Sequence, residues 1–193
     1  MGRLLALADG IFAITMTLLV FELKVPEAAA AHLGQSLGAL WPKFSVCLLG
    51  FITLGFSWIG HHNQYVAIVR TDRSFLWINI AFLGSTCFMP FSCALLGTYT
   101  FDPIAIATYG ANMTLAGLVL YWHWSYATKG GRLVRQETSP ELVKATKLRV
   151  IRAPIGYLVG SLLCLVSPIA SLVVFAAIPI SFIIPGRVDR HLK

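Results

Sequence analysis

The chain has 193 residues and a net charge of +7, with 57% hydrophobic and only 12% charged residues and a mean hydropathy of +0.76. Soluble domains carry about 25% charged residues, so the composition excludes a water-soluble fold and describes an integral membrane protein. Spans need roughly 20 apolar residues each, so this length leaves no room for a separate soluble domain, and residues 1–193 read as a single transmembrane unit.

Six apolar runs follow in chain order: about 4–23, 44–69, 75–97, 104–126, 150–167 and 168–185. The first lacks a small-residue cleavage site and is flanked by Glu22 and Lys24, so it reads as a retained span and not a signal peptide. At 100° per residue, Leu7, Gly10, Ile14, Leu18 and Phe21 form one stripe with Thr17 on its margin. Asp9 lies about 140° from Ile14 on the same wheel and must therefore touch something else.

A charge at mid-bilayer costs about 2.5–3.5 kcal/mol on insertion scales, and less near an interface. Asp9 sits near the inner interface and still needs a partner. Arg3, six residues away, is off the three- or four-residue spacing of an intrahelical pair. The second run ends in "FSWIGHHNQY", which brings Trp58, His61 and His62 to the same depth. An indole and two imidazoles are suitable donors to a carboxylate, though Trp and His also serve as plain interfacial anchors. Metal or haem ligation by His61, His62 and His123 is a poor reading. Adjacent histidines face different sides of a helix, and no carboxylate or Cys stands at ligand spacing. No cofactor and no metal is expected.

The third and fourth runs contain no TVGYG-type carbonyl filter; "GTYT" at 97–100 lacks the second glycine. After the fourth, "TKGGRLVRQETSPELVKATKLRV" holds the helix start Ser139-Pro140-Glu141, so the fifth span begins as a basic helix at the level of lipid headgroups. Gly156 and Gly160 form a GxxxG that permits close helix approach. Pro168 and Ser167 alone separate runs five and six, so a five-span alternative stays open. Cys47, Cys87, Cys93 and Cys164 lie in apolar runs without CxxC spacing and read as small buried hydrophobes.

Positive charge settles the topology, because cytoplasmic loops collect Lys and Arg. With the N-terminus inside, thirteen of the fifteen cations fall inside: Arg3, Arg70, Arg73, Lys129, Arg132, Arg135, Lys144, Lys147, Arg149, Arg152, Arg187, Arg190 and Lys193. Only Lys24 and Lys43 are outside. An even number of spans with both termini cytoplasmic follows. The charge is a topology signal, and no nucleic-acid partner is expected.

The opening helix and the end of the second run resemble the bacterial branch of the transmembrane protein 175 family of potassium channels. That family carries Arg-x-x-x-Phe-Ser-Asp in the first helix and Trp-x-x-His-His in the second. Here the first motif reads Arg3-Leu-Leu-Ala-Leu7-Ala8-Asp9, with Leu7 for Phe and Ala8 for Ser, and the second is intact as Trp58, His61 and His62. The resemblance implies a homotetramer in the cell membrane, a bacterial inner membrane, conducting K⁺ through a central pore lined by four first helices with no re-entrant P-loop. An aliphatic constriction falls five residues after the motif Asp, at Ile14, with Thr17 and Phe21 further out and Leu18 beside them. Arg3, Asp9, Trp58, His61 and His62 then form a polar clasp at the inner mouth.

A secondary transporter is the competing reading, since Pro90, Pro154, Pro168 and Pro179 interrupt the spans and broken helices build midplane sites. Against it, no acidic residue lies at mid-depth in runs two to six; Glu22 and Asp102 are near outer ends. No nucleophile, base and orienting group converge at recognisable spacing, so an enzyme is not expected.

Overall fold

The computed structural model of the chain describes residues 2–27 and 32–183. Arg187, Arg190 and Lys193, used in the topology argument, and the end of the sixth run lie outside the described residues. Those described form α1 (Gly2–Phe21), α2 (Leu33–Ala39), α3 (Trp41–Ala67), α4 (Arg73–Cys87), α5 (Met89–Thr98), α6 (Pro103–Thr128), a 3₁₀ turn (Lys129–Gly131), α7 (Pro140–Leu163) and α8 (Pro168–Ile183). There is no β-sheet among them, only an isolated bridge between Ile68 and Val134.

Helix starts follow local chemistry. The Asp72 carboxylate accepts from the Phe75 N–H at 2.8 Å, Asp102 from Ile104 at 2.8 Å, and the Ser139 hydroxyl from Leu142 at 3.2 Å. Each satisfies an amide the helix itself leaves unpaired. Pro103 and Pro140 occupy first helical positions, where a missing N–H is harmless.

Helices long and apolar enough to cross a membrane are α1, α3, α4 with α5, and α6 with its following turn; α8 is apolar but shorter. The third run is thus one apolar stretch interrupted at Phe88, two residues before Pro90. Pro154 and Pro179 lie inside α7 and α8 without ending them. Of the four prolines behind the broken-helix reading, only Pro90 and Pro168 mark boundaries.

Small residues let the later helices close together. An added Cβ at Gly117 of α6 would lie 2.8 Å from the Pro154 ring of α7, and one at Gly160 of α7 would lie 2.6 Å from the Phe175 ring of α8. The GxxxG therefore seats α8 within the same subunit. Tyr109, Tyr157 and Phe175 fill the space between α6, α7 and α8.

One end of the bundle is interlocked. The Leu133 carbonyl accepts from the Val69 and Arg70 amides, and the Arg135 amide donates to the Ala67 carbonyl. Arg132 lies 4.3 Å over the Tyr126 ring, whose hydroxyl donates to Asp72 at 3.0 Å. The Phe75 amide foremost, with the Tyr126 hydroxyl and the Arg132 charge, holds the Asp72 carboxyl below its ordinary range against a desolvation penalty. Leu4 and Leu5 pack on the same cluster. Arg3 of α1, the α3–α4 connection and the α6–α7 connection therefore share one end, while Lys43 lies at the other, beside Gly97.

Candidate functional site

Helix α1 has two distinct sides. Ala8, Phe12, Thr15 and Leu19 recur at i, i+4, i+7 and i+11 and are its buried residues. They pack against α3, α4 and α5. The Leu7, Ile14, Leu18 and Phe21 stripe points away from the subunit, with Ile14 61% and Phe21 77% exposed. One turn beyond Ile14, the Thr17 hydroxyl donates to the Ile14 carbonyl at 2.7 Å. Its proton is committed, which leaves the oxygen lone pairs of Thr17 available.

Asp9 is paired from α3. The Trp58 indole Nε1 donates to Asp9 Oδ1 at 2.8 Å, and the Trp58 ring stacks on His62 with centroids 5.4 Å apart and planes at 28°. All three residues are exposed on the single subunit. His61 turns the other way, because neighbours on a helix differ by about 100°. It is 2% exposed, stacks on Phe82, packs against Phe12 of α1, and places Nε2 2.8 Å from Asn79 Oδ1. Arg3 is exposed and takes no part in the hydrogen bonding of Asp9. The sequence-derived clasp thus divides: Asp9, Trp58 and His62 come together at the surface, His61 serves the core, and Arg3 stands apart.

Of the core partners around His61, Tyr65 alone stands at the i+4 helical spacing; Asn79 and His123 carry no spacing signal. Tyr65 Oη lies 3.2 Å from both Asn79 Oδ1 and His123 Nε2, His123 Nδ1 lies 2.7 Å from Gln64 Oε1, and Gln64 Nε2 donates to the Leu120 carbonyl at 3.3 Å. His123, weighed in the sequence only as a metal ligand, is wholly buried in this chain. The one available hint is that Asn79 and His123 are polar residues within apolar runs, near the same end of the bundle. A cavity of about 90 Å³ also lies among α3, α4, α6, α7 and α8, its lining apolar for the most part but including Thr53, Ser57, Asn63, Thr146 and Arg149. No α1 residue reaches it.

Comparison with known proteins agrees with the motif pattern. The family model for the endosomal/lysosomal potassium channel TMEM175 matches residues 3–90, the segment holding α1, α3 and both motifs. A potassium channel of Chamaesiphon minutus is 33% identical over 172 residues, 86% of this chain and 85% of that one. A potassium channel of Streptomyces collinus is 30% identical over 161 residues, 81% of this chain and 78% of that one. The crystal structure of a lysosomal potassium-selective channel TMEM175 homolog from Chamaesiphon minutus matches with a TM-score of 0.84 and 30% identity, covering 94% of this chain and 95% of that one. With this identity over nearly the full length and the Asp9 and Trp58 motif residues hydrogen-bonded to each other, the chain belongs to the TMEM175 family.

Proposed function

We propose that the chain is one subunit of a potassium-selective channel, a homotetramer in the cell membrane whose central pore is lined by α1 of each copy. The observation that carries this reading is the division of α1: one narrow face serves its own subunit, and an aliphatic stripe with Ile14 at its centre faces outward. A lipid-facing helix has no need of Thr17 and Gly10 on or beside that stripe. Copies of α1 around an axis give Ile14 a constriction to form and Thr17 a lumen to face.

A ring of Ile14 side chains closes a pore by dewetting, since an ion stripped of water with no replacement ligand is penalised by tens of kcal/mol on a Born estimate. K⁺ sheds its water more cheaply than Na⁺, so a constriction that forces partial dehydration favours K⁺. Leu18 and Phe21 continue the wall outward, and Asp9 with Trp58 and His62 fixes the inner end of α1 against α3. Arg3 supplies positive charge at that mouth. Six spans, with the basic, interlocked end and both termini cytoplasmic, complete the arrangement: α7 enters the bilayer beyond its basic first half and returns as α8.

Reconstituted protein in liposomes tests this. A K⁺ gradient should drive passive, uncoupled flux that a Na⁺ gradient drives more weakly. Equal flux of the two cations, or flux only with a coupled second ion, contradicts the reading.

A further inference from the structure

The chain joining Asn79, Tyr65, His123 and Gln64 constrains where its protons sit. Gln64 Nε2 donates to the Leu120 carbonyl, so Gln64 Oε1 is an acceptor and His123 Nδ1 must carry a proton. If His123 is neutral, its Nε2 is bare and receives the single Tyr65 hydroxyl proton. Tyr65 then has none left for Asn79, and two oxygens would face each other at 3.2 Å. Turning the Asn79 amide over removes the conflict, since its NH₂ then donates to Tyr65 Oη and to a bare His61 Nε2. The same turn cures a defect, because Asn79 Nδ2 is otherwise a buried donor with no partner.

If instead His123 gains a proton at Nε2, it donates to Tyr65 Oη and each direction from there to His61 reverses, while Nδ1–H still donates to Gln64 Oε1. Tyr65 donates to Asn79 Oδ1, the amide stays unturned, and His61 must present Nε2–H to the same oxygen. The heavy atoms thus fit two hydrogen-bond polarities that differ by one proton, on His123 Nε2, and by the tautomer of a neutral His61, whose proton moves from Nδ1 to Nε2. We propose that this cluster is a proton-binding site inside each subunit, whose occupancy reverses the chain from His123 through Tyr65 and Asn79 and switches His61 from acceptor to donor.

The switch reaches the proposed pore helix, and in that respect it rests on the channel reading. His61 packs against Phe12 of α1, and its neighbour His62 stacks on the Trp58 that holds Asp9. The groups around the pair are few. On α3 the ionisable ones are Tyr65 and His62, and α1 contributes Asp9. α4 faces the pair with Phe75, Asn79 and Phe82, none of which ionises. α7 meets the next residue of α6, where the Trp124 indole donates to the Val143 carbonyl.

Imidazole ¹⁵N NMR of histidine-labelled protein in liposomes, titrated from about pH 8 to about pH 5, tests the site without any variant. At the alkaline end His61 and His123 should both have Nδ1 protonated and Nε2 bare; on acidification His123 should gain a second proton at Nε2 while the single His61 proton passes from Nδ1 to Nε2, both at one shared midpoint. Nε2–H on either histidine at the alkaline end, two separate midpoints, or a His123 Nε2 still bare at about pH 5 overturns the proposal. In Tyr65→Phe the relay is cut, so His61 should cease to follow His123; continued coupling also overturns it. K⁺ flux in the same liposomes should change at the shared midpoint and lose that step in Tyr65→Phe. A flux that ignores the step refutes the link to α1. Absence of K⁺ flux at every pH refutes the channel reading, while the NMR titration still decides whether the proton site exists.

Discussion

The Trp58–Asp9 bond ties the N-terminal half of α1 to α3, and its strength can be worked out from its surroundings. At 2.8 Å to a carboxylate oxygen, it falls among bonds that contribute about 1.5–3 kcal/mol. Trp58 is 36% exposed, and solvent screening puts the bond at the low end, about 1.5 kcal/mol in a single subunit. That is roughly tenfold in an unfolding equilibrium. Trp58→Phe removes the donor and keeps a ring against His62, while Asp9→Ala removes the acceptor. A double-mutant cycle, read by reversible unfolding in mixed micelles, should return a coupling of that size, with Asp9→Ala also impairing assembly. A coupling within about 0.5 kcal/mol of zero refutes the assignment of this bond as the anchor of α1.

Other consequences follow from the packing and the charges. Gly117→Ala drives a Cβ to 2.8 Å from the rigid Pro154 ring and should cost about 1–3 kcal/mol by overpacking, read as a lower thermal midpoint. Gly10→Ala meets no atom within 4 Å in the subunit, so it should leave that midpoint unchanged, and any effect should be on assembly or flux. The Asp72 carboxyl, held low by the Phe75 amide foremost, contributes stability that is present above the unfolded carboxylate value of about 3.9 and is lost as pH falls through its lower folded value. Acid unfolding of Asp72→Asn, which keeps a capping side chain, should lose that dependence; an unaltered acid limb contradicts the pairing.

Much of the fold is written locally. Ser139-Pro140-Glu141 starts α7 because cap, proline and acid all act within one turn, and α8 starts on a cap and a proline alone, Ser167 and Pro168. The two-sidedness of α1 follows from a 3.6-residue period, which separates the Ile14 stripe from Asp9 before any partner is known. What lies between helices was less legible. Nothing in "GHHNQY" says which histidine faces α1 and which faces Asn79, because that depends on the rotation of α3 in the bundle. The Tyr65, Asn79, His123 and Gln64 chain draws its members from three helices, with only Gln64 and Tyr65 neighbours in sequence. Gly156 and Gly160 announce a close approach without naming α8 as the partner, and α2 is too short and weakly patterned to be read as an element at all.

The claim that the outward face of α1 lines the ion path is tested most directly at Ile14, whose side chain touches nothing the subunit needs for its own core. Ile14→Asn places a polar amide where dewetting is proposed, and K⁺ and Na⁺ fluxes through reconstituted wild-type and variant protein are then compared. An Ile14 constriction predicts an assembled variant with raised cation flux and a lower preference for K⁺. An assembled variant with the wild-type flux and the wild-type preference would contradict it.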